Sequence, residues 1–193
     1  EKGPSFADRF LNFRSEIWSM NNQDLFLRNY DAKFKVMKKL LMKGLQQHNI
    51  KYYEGVTLTA IDDLFEDFKY NKGNPFDPSD SIFTAVYQML HIMIFHTKAK
   101  RESTQFQKLQ LYDKLVISRL SNSGPYILLD ICPWLRYFNL QIYKDIVEIV
   151  DVGKDLFHGW KENVYNGNIK EGLFKELLDQ LENDPDNLTE DNI

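Results

Sequence analysis

Asp31-Ala32-Lys33-Phe34-Lys35-Val36-Met37-Lys38-Lys39-Leu40-Leu41-Met42-Lys43-Gly44-Leu45 carries two patterns at once. Asp31 is a good N-cap, and the spacing predicts a helix from Ala32 to about His48. Phe34, Met37, Leu41 and Leu45 fall on one stripe, with Lys38 at its margin one turn after Phe34. Lys35, Lys39 and Lys43 share the opposite face, so the helix reads as apolar inside and basic outside.

Working outward, apolar residues keep helical spacing through most of the chain, and period-two alternation of strand length is hard to find. The fold class expected is therefore all-α. A short helix is expected over Phe6–Trp18. A third runs from about Thr57 to Tyr70, with Ile61, Leu64, Phe65 and Phe68 buried and Asp62, Asp63, Glu66 and Asp67 on a solvated face. Asp77-Pro78-Ser79-Asp80 opens a helix through Phe95 that is apolar nearly all round, which predicts burial. Further helices are expected over about Thr104–Ser121, Gln141–Val164 (closed by Gly167) and Ile169–Leu181. Tyr126–Phe138, punctuated by Pro133, reads as an ordered apolar connection able to cover a ligand cavity. Thr189 is the N-cap expected for one more helix start at Leu188–Ile193.

The chain has 193 residues, 43% hydrophobic and 27% charged, which places it among folded domains rather than disordered tails. A chain of this size buries roughly 70% of the surface its unfolded form exposes, enough for one core without staples. No linker or repeat divides it, so residues 1–193 are expected to form a single unit. The lone Cys132 excludes a disulfide framework and a four-cysteine zinc site, and makes a reducing compartment the default. The start at Glu1-Lys2-Gly3-Pro4, without an initiator Met or an apolar leader, points either to a missing leader or to an internal piece.

Net charge is −4 but unevenly placed. Arg28 to Lys51 holds seven cations against Asp31, whereas Lys170 to Ile193 holds eight acids against two lysines. That polarity points to a basic docking surface. Nucleic acid is not the expected partner, because the aromatics of the basic helix lie on its buried stripe and cannot stack on bases.

Enzyme signatures that would stand alone are absent: no phosphate-binding glycine loop, metalloprotease helix or nucleophile elbow occurs. His91 and His96, five apart, point in different directions around a helix and read as core or boundary residues. Cys132, in Asp130-Ile131-Cys132-Pro133-Trp134, reads as a small buried hydrophobe. No catalytic or metal-ligating residue is assigned on these grounds.

Asp130-Ile131-Cys132-Pro133-Trp134-Leu135-Arg136-Tyr137-Phe138 resembles the acidic-x-x-Pro-Trp-Leu-basic stretch before helix G of microsomal cytochrome P450 enzymes. Other segments fall into that family's order. Tyr30–Lys39 resembles the entrance of helix C, Asn74-Pro75-Phe76-Asp77-Pro78 the start of helix E, Phe95-His96-Thr97-Lys98 stands where the family often has Phe-Gly before the loop to helix F, and Leu188–Ile193 resembles the lead into helix I. The likeness covers the whole chain and is nearest to steroid 17-alpha-hydroxylase-like members. It implies part of the cytochrome P450 fold, about helices B' to H, truncated before helix I.

The resemblance implies a fragment of a haem-thiolate monooxygenase that inserts one oxygen atom of dioxygen into a lipophilic substrate. Its cofactors would be haem, with the axial cysteine outside this chain, and NADPH acting through a cytochrome P450 reductase. Where the family has Trp-x-x-x-Arg beside the haem propionates, this chain has Phe34 and Lys38, and lysine donates without arginine's two-pronged geometry. Lys35, Lys39 and Lys43 match the reductase-docking face, and Val116, Ile117 and Leu120 the border of the substrate cavity. Arg119 stands where steroid-type members carry a substrate-bonding Asn, so steroid specificity is not carried over. The implied location is the cytoplasmic face of the endoplasmic reticulum membrane, held by an anchor outside the chain. The rival readings are a non-catalytic helical interaction domain and a degenerate family member, each using the basic face to dock.

Overall fold

The computed structural model describes residues 9, 12–46, 50–70, 72–121 and 124–183, and every regular element among them is helical. Eight α-helices follow in order: α1 Phe13–Trp18, α2 Ala32–Leu45, α3 Ile50–Tyr70, α4 Ser79–Phe95, α5 Thr104–Leu120, α6 Leu128–Ile131, α7 Gln141–Tyr165 and α8 Leu173–Asn183. Short 3-10 turns, Pro125–Ile127 and Pro133–Phe138, flank α6. The expected helix over Leu188–Ile193, and the ends placed at Phe6 and His48, lie outside the described residues.

Local chemistry sets the starts. The Asn12 side chain accepts from Ser15 N–H at 2.8 Å while the Ser15 hydroxyl accepts from Asn12 N–H at 3.0 Å, a capping box for α1. Asp31 accepts from Phe34 N–H at 2.7 Å and caps α2 as expected. The Arg28 guanidinium bonded to it is the largest influence holding its carboxyl below the usual value. Ser103 does the same for α5, accepting from Phe106 N–H at 3.2 Å.

Two apolar clusters form the interior. Phe95 of α4, Ile169, and Phe174 and Leu178 of α8 make one, with Phe157 and Trp160 of α7 at its margin. Leu129 of α6 with Ile146 and Ile149 of α7 makes the other, flanked by Phe13 and Ile17 of α1 and Val116 and Leu120 of α5. α7, 25 residues and therefore about 37 Å long, serves both and acts as the spine. Around it α3 packs on α4, α5 on α7, and α8 on both α2 and α4.

Several expectations are corrected. α3 begins at Ile50 rather than Thr57, and its buried residues are Val56 and Ala60, while Ile61 and Phe65 are exposed. Leu64 and Phe68 of the expected stripe are half-buried, Phe68 packing on Phe76 at 5.3 Å. Asp63 and Asp67 are not simply solvated: Lys98 reaches Asp63 at 2.5 Å and Arg101 grips both oxygens of Asp67 at 3.1 and 2.7 Å. α4 is not buried all round. Thr84, Tyr87, Gln88 and Phe95 are buried, whereas Ile82, Val86 and Leu90 form an exposed stripe. The buried polar pair is satisfied, Gln88 exchanging bonds of 2.7 and 3.0 Å with the Ala99 backbone and Thr84 donating to Asp80 O at 2.7 Å.

Cys132 is half-buried, not fully buried, because it ends α6, its N–H held by Leu128 O at 2.8 Å, immediately before the turn at Pro133. α8 starts at Leu173 instead of Ile169, since Gly172 takes φ +118 ahead of it. Gly167, at φ +73, follows the end of α7 as expected. His96 is the left-handed cap of α4, and His91 Nδ1 lies 2.7 Å from Thr97 O, so both are boundary residues. No metal-holding cluster occurs among the described residues.

Gly172 and Gly167 share a positive φ but not their surroundings. A Cβ on Gly172 would stand 2.5 Å from Ile94 O, whereas one on Gly167 meets nothing within 4 Å. Gly172→Ala is expected to cost at least about 2 kcal/mol more than Gly167→Ala. Denaturant midpoints, or protease resistance of the expressed chain, compare the two, and equal losses would refute the close approach. His91 supplies a pH test. Burial pushes its imidazole below the usual value, with the Thr97 bond opposing. The unfolded chain therefore takes up the proton first, and stability present above about pH 6.5 is lost as pH falls through that value toward the folded one. His91→Phe is expected to flatten this part of the stability–pH curve.

Candidate functional site

α2 presents the basic face. Phe34 and Met37 are buried, Leu41 and Leu45 partly so, and Lys35, Lys38, Lys39 and Lys43 are exposed. The Phe34 ring packs at 5.4 Å on Tyr30, and Lys35 Nζ sits 5.1 Å above the same Tyr30 ring. No ion pair to Lys38, Lys39 or Lys43 is formed among the described residues. Cations that find no intramolecular acid remain available to an external one.

α2 is placed by its contact with α8. A Cβ at Gly44 would fall 2.2 Å from Leu173 Cδ1, so any larger residue there requires the Leu173 side chain to shift. Beside that contact a small cleft of about 220 Å³ lies between Lys43 of α2 and Glu176 and Asp179 of α8.

The three residues expected along the substrate cavity separate. Val116 and Leu120 pack onto the Leu129–Ile146–Ile149 cluster, and Ile117, 65% exposed, faces away from it. Arg119 binds α7, donating to Asp145 O at 2.5 Å and Glu148 Oε2 at 2.6 Å. Tyr126 Oη donates to Asp145 Oδ2 at 3.0 Å alongside, and its hydroxyl is pushed up chiefly by burial.

Sequence reasoning missed Arg14, which pairs with Asp130 at 2.7 Å across 116 positions of chain. The available signal was Asp130 amid the apolar run Tyr126–Leu135, an acid that needs a partner wherever the stretch is packed. Next to this pair an open groove of about 800 Å³ separates α1 from the Pro133–Phe138 turn, with Phe13 and Glu16 on one side and Trp134, Arg136 and Tyr137 on the other.

The family model described as Cytochrome P450 matches residues 1–193. Human steroid 17-alpha-hydroxylase/17,20 lyase is 24% identical over 183 residues, covering 94% of this chain and 35% of its own length. Cytochrome P450 71D179 of Thymus vulgaris is 24% identical over 135 residues, covering 68% of this chain and 26% of its own. A zebrafish cytochrome P450, solved with progesterone, superposes with a TM-score of 0.74 over 99% of this chain and 44% of that one, at 18% identity, a likeness of fold. The chain thus spans little more than a third of the human relative. With the family match running from the first residue to the last over an all-helical framework, the chain belongs to the cytochrome P450 family.

Proposed function

We propose that this chain is part of a haem-thiolate monooxygenase that transfers one oxygen atom of dioxygen to a lipophilic substrate, with electrons from NADPH delivered by a reductase. Family membership along all 193 residues is the observation that carries the reading. When bound, haem with an axial thiolate supplies dioxygen activation and O–O cleavage.

In this reading the haem edge lies at Phe34 and Lys38. Lys38 is exposed, meets no carboxylate among the described residues, and stands one turn from buried Phe34, so its ammonium is free to donate to a propionate. Cys132 does not fit as the axial ligand. It ends α6 in the α1–α6 cluster, whereas α2 packs on α8, and the proposed thiolate is therefore supplied by polypeptide outside this chain.

Lys35, Lys39 and Lys43 form the face on which an acidic reductase docks, their like charges steering its approach. Ile117, with Val116 and Leu120 behind it, borders the substrate side. The proposed location is the cytoplasmic face of the endoplasmic reticulum. No helix among the described residues is long and apolar enough to cross a membrane, and the proposed attachment is by a segment outside the chain. A degenerate, haem-free relative is the second reading, favoured by Phe34 and Lys38 in place of the family's Trp and Arg.

Carbon monoxide added to the reduced longer polypeptide separates the two. A Soret band near roughly 450 nm is expected for haem-thiolate, and none for a haem-free relative or for the 193 residues alone. In the same protein Lys38→Met is expected to lower haem retention about tenfold and Lys38→Arg to raise it; equal retention in all three would remove Lys38 from the haem edge. Reversal of Lys35, Lys39 and Lys43 to Glu is expected to raise the KM for reductase about tenfold at low salt while leaving kcat at saturation near its original value. An unchanged KM and salt dependence would place docking elsewhere.

A further inference from the structure

Met42 stands on the basic side of α2, not on the buried one. It is 43% exposed and follows Lys35 by seven positions, Lys38 by four and Lys39 by three, spacings that bring these side chains onto one strip of the helix. At the start of the strip the Tyr30 ring is 57% exposed, packed on Phe34 and approached by Lys35 Nζ at 5.1 Å.

A single exposed apolar side chain is ordinary. These two lie together inside a field of lysines. No acid pairs with Lys35 or Lys39 among the described residues, and Asp31, the nearest acid along the chain, is held by Arg28 at 2.8 Å. Apolar groups at the centre and charge around them is the make-up of a protein interface. Methionine suits such a centre, because its unbranched, polarisable side chain adapts to the surface it meets.

The field also has an edge. α8 brings Glu176 and Asp179 to the cleft it shares with Lys43. Asp179 is taken by Lys175 at 2.6 Å, but Glu176 forms no ion pair among the described residues, and its Oε2 lies 3.7 Å from where a Cβ on Gly44 would stand. That carboxylate offsets Lys43, and the negative end of the α2 dipole acts in the same sense. The positive potential is therefore centred on Lys35 and Lys39, where Tyr30 and Met42 are exposed.

We propose that Met42 and Tyr30 are the short-range anchors of the docking face, and that they fit a partner protein whose acidic groups surround an apolar patch. The partner's acids meet Lys35 and Lys39, and its apolar patch covers the Met42 thioether and the exposed part of the Tyr30 ring. The partner's identity rests on the reading of α2 as the reductase-docking helix. Charge then supplies approach and apolar contact supplies retention. Steering charges act on association and fade with salt, whereas buried apolar contact acts on dissociation at any salt.

The experiment uses the longer polypeptide and NADPH–cytochrome P450 reductase. Chloramine-T converts accessible Met thioethers to sulfoxides, and peptide mass spectrometry reads each position. In the polypeptide alone Met42 is expected to oxidise at least about tenfold faster than Met37, which is 5% exposed, and to slow about fivefold when reductase is bound. Met42 already protected without reductase would show that the same polypeptide covers it, and would overturn the proposal. Met42→Ala and Tyr30→Ala are each expected to raise the KM for reductase about fivefold at low and at high salt with kcat at saturation retained, and Tyr30→Phe to keep the original KM. Charge reversal at Lys35 and Lys39 is expected to lose its effect at high salt. A KM unchanged by Met42→Ala while charge reversal still raises it would refute the anchors and leave the docking reading standing. A KM unchanged by charge reversal as well would sink the docking reading and the anchors together. If Tyr30→Ala does not fold, protection of Met42 in the unmodified protein decides.

Discussion

Phe95, Trp160 and Phe174 meet as three rings, with centroids 5.3, 5.3 and 6.1 Å apart, at the point where α4, α7 and α8 converge. Tilted aromatic pairs at these distances contribute about 1 kcal/mol each beyond the area they bury. Their larger effect is positional. Gly172 brings the turn before α8 against the Ile94 and Phe95 backbone, which a side chain would prevent. α8 set in this way becomes the surface on which α2 rests through the Gly44–Leu173 contact. The exposed lysines of α2 therefore owe their position to rings on three other helices.

Much of this framework was legible from one-dimensional pattern. The capped start of α2, the closing Gly167 and the long apolar face of α7 depend on short-range rules, and the structure keeps them. α3 and α4 were less legible because exposure is decided by what packs alongside. Ile82, Val86 and Leu90 read as core by composition, yet the side of α4 that is covered carries Thr84 and Gln88. The outward face of the lysines was readable from a spacing of four. The Arg14–Asp130 pair was not, since its partners lie 116 residues apart and no local pattern joins them.

The two regions of the molecule follow different physical rules. Around α8 the contacts are apolar and close, and specificity lies in shape, with glycines at the crossings. Around α1 and α6 it lies in direction: arginines aim fixed donors at helix-end carbonyls and carboxylates, and apolar residues fill the space between. Apolar packing penalises any displacement, whereas a guanidinium network has discrete partners to lose or keep.

The three tryptophans give each region its own optical reporter. Trp18 is partly buried and donates from Nε1 to Tyr112 Oη at 2.7 Å. Trp134 is 56% exposed on the groove wall, and Trp160 sits in the ring cluster with Nε1 buried and without a hydrogen-bond partner among the described residues. Indoles in a hydrogen-bonded, a wet and an apolar setting differ in emission energy and in access to quenchers. Single-tryptophan versions of the protein would thus let light distinguish the α1–α5 contact, the groove and the α8 crossing without any added label.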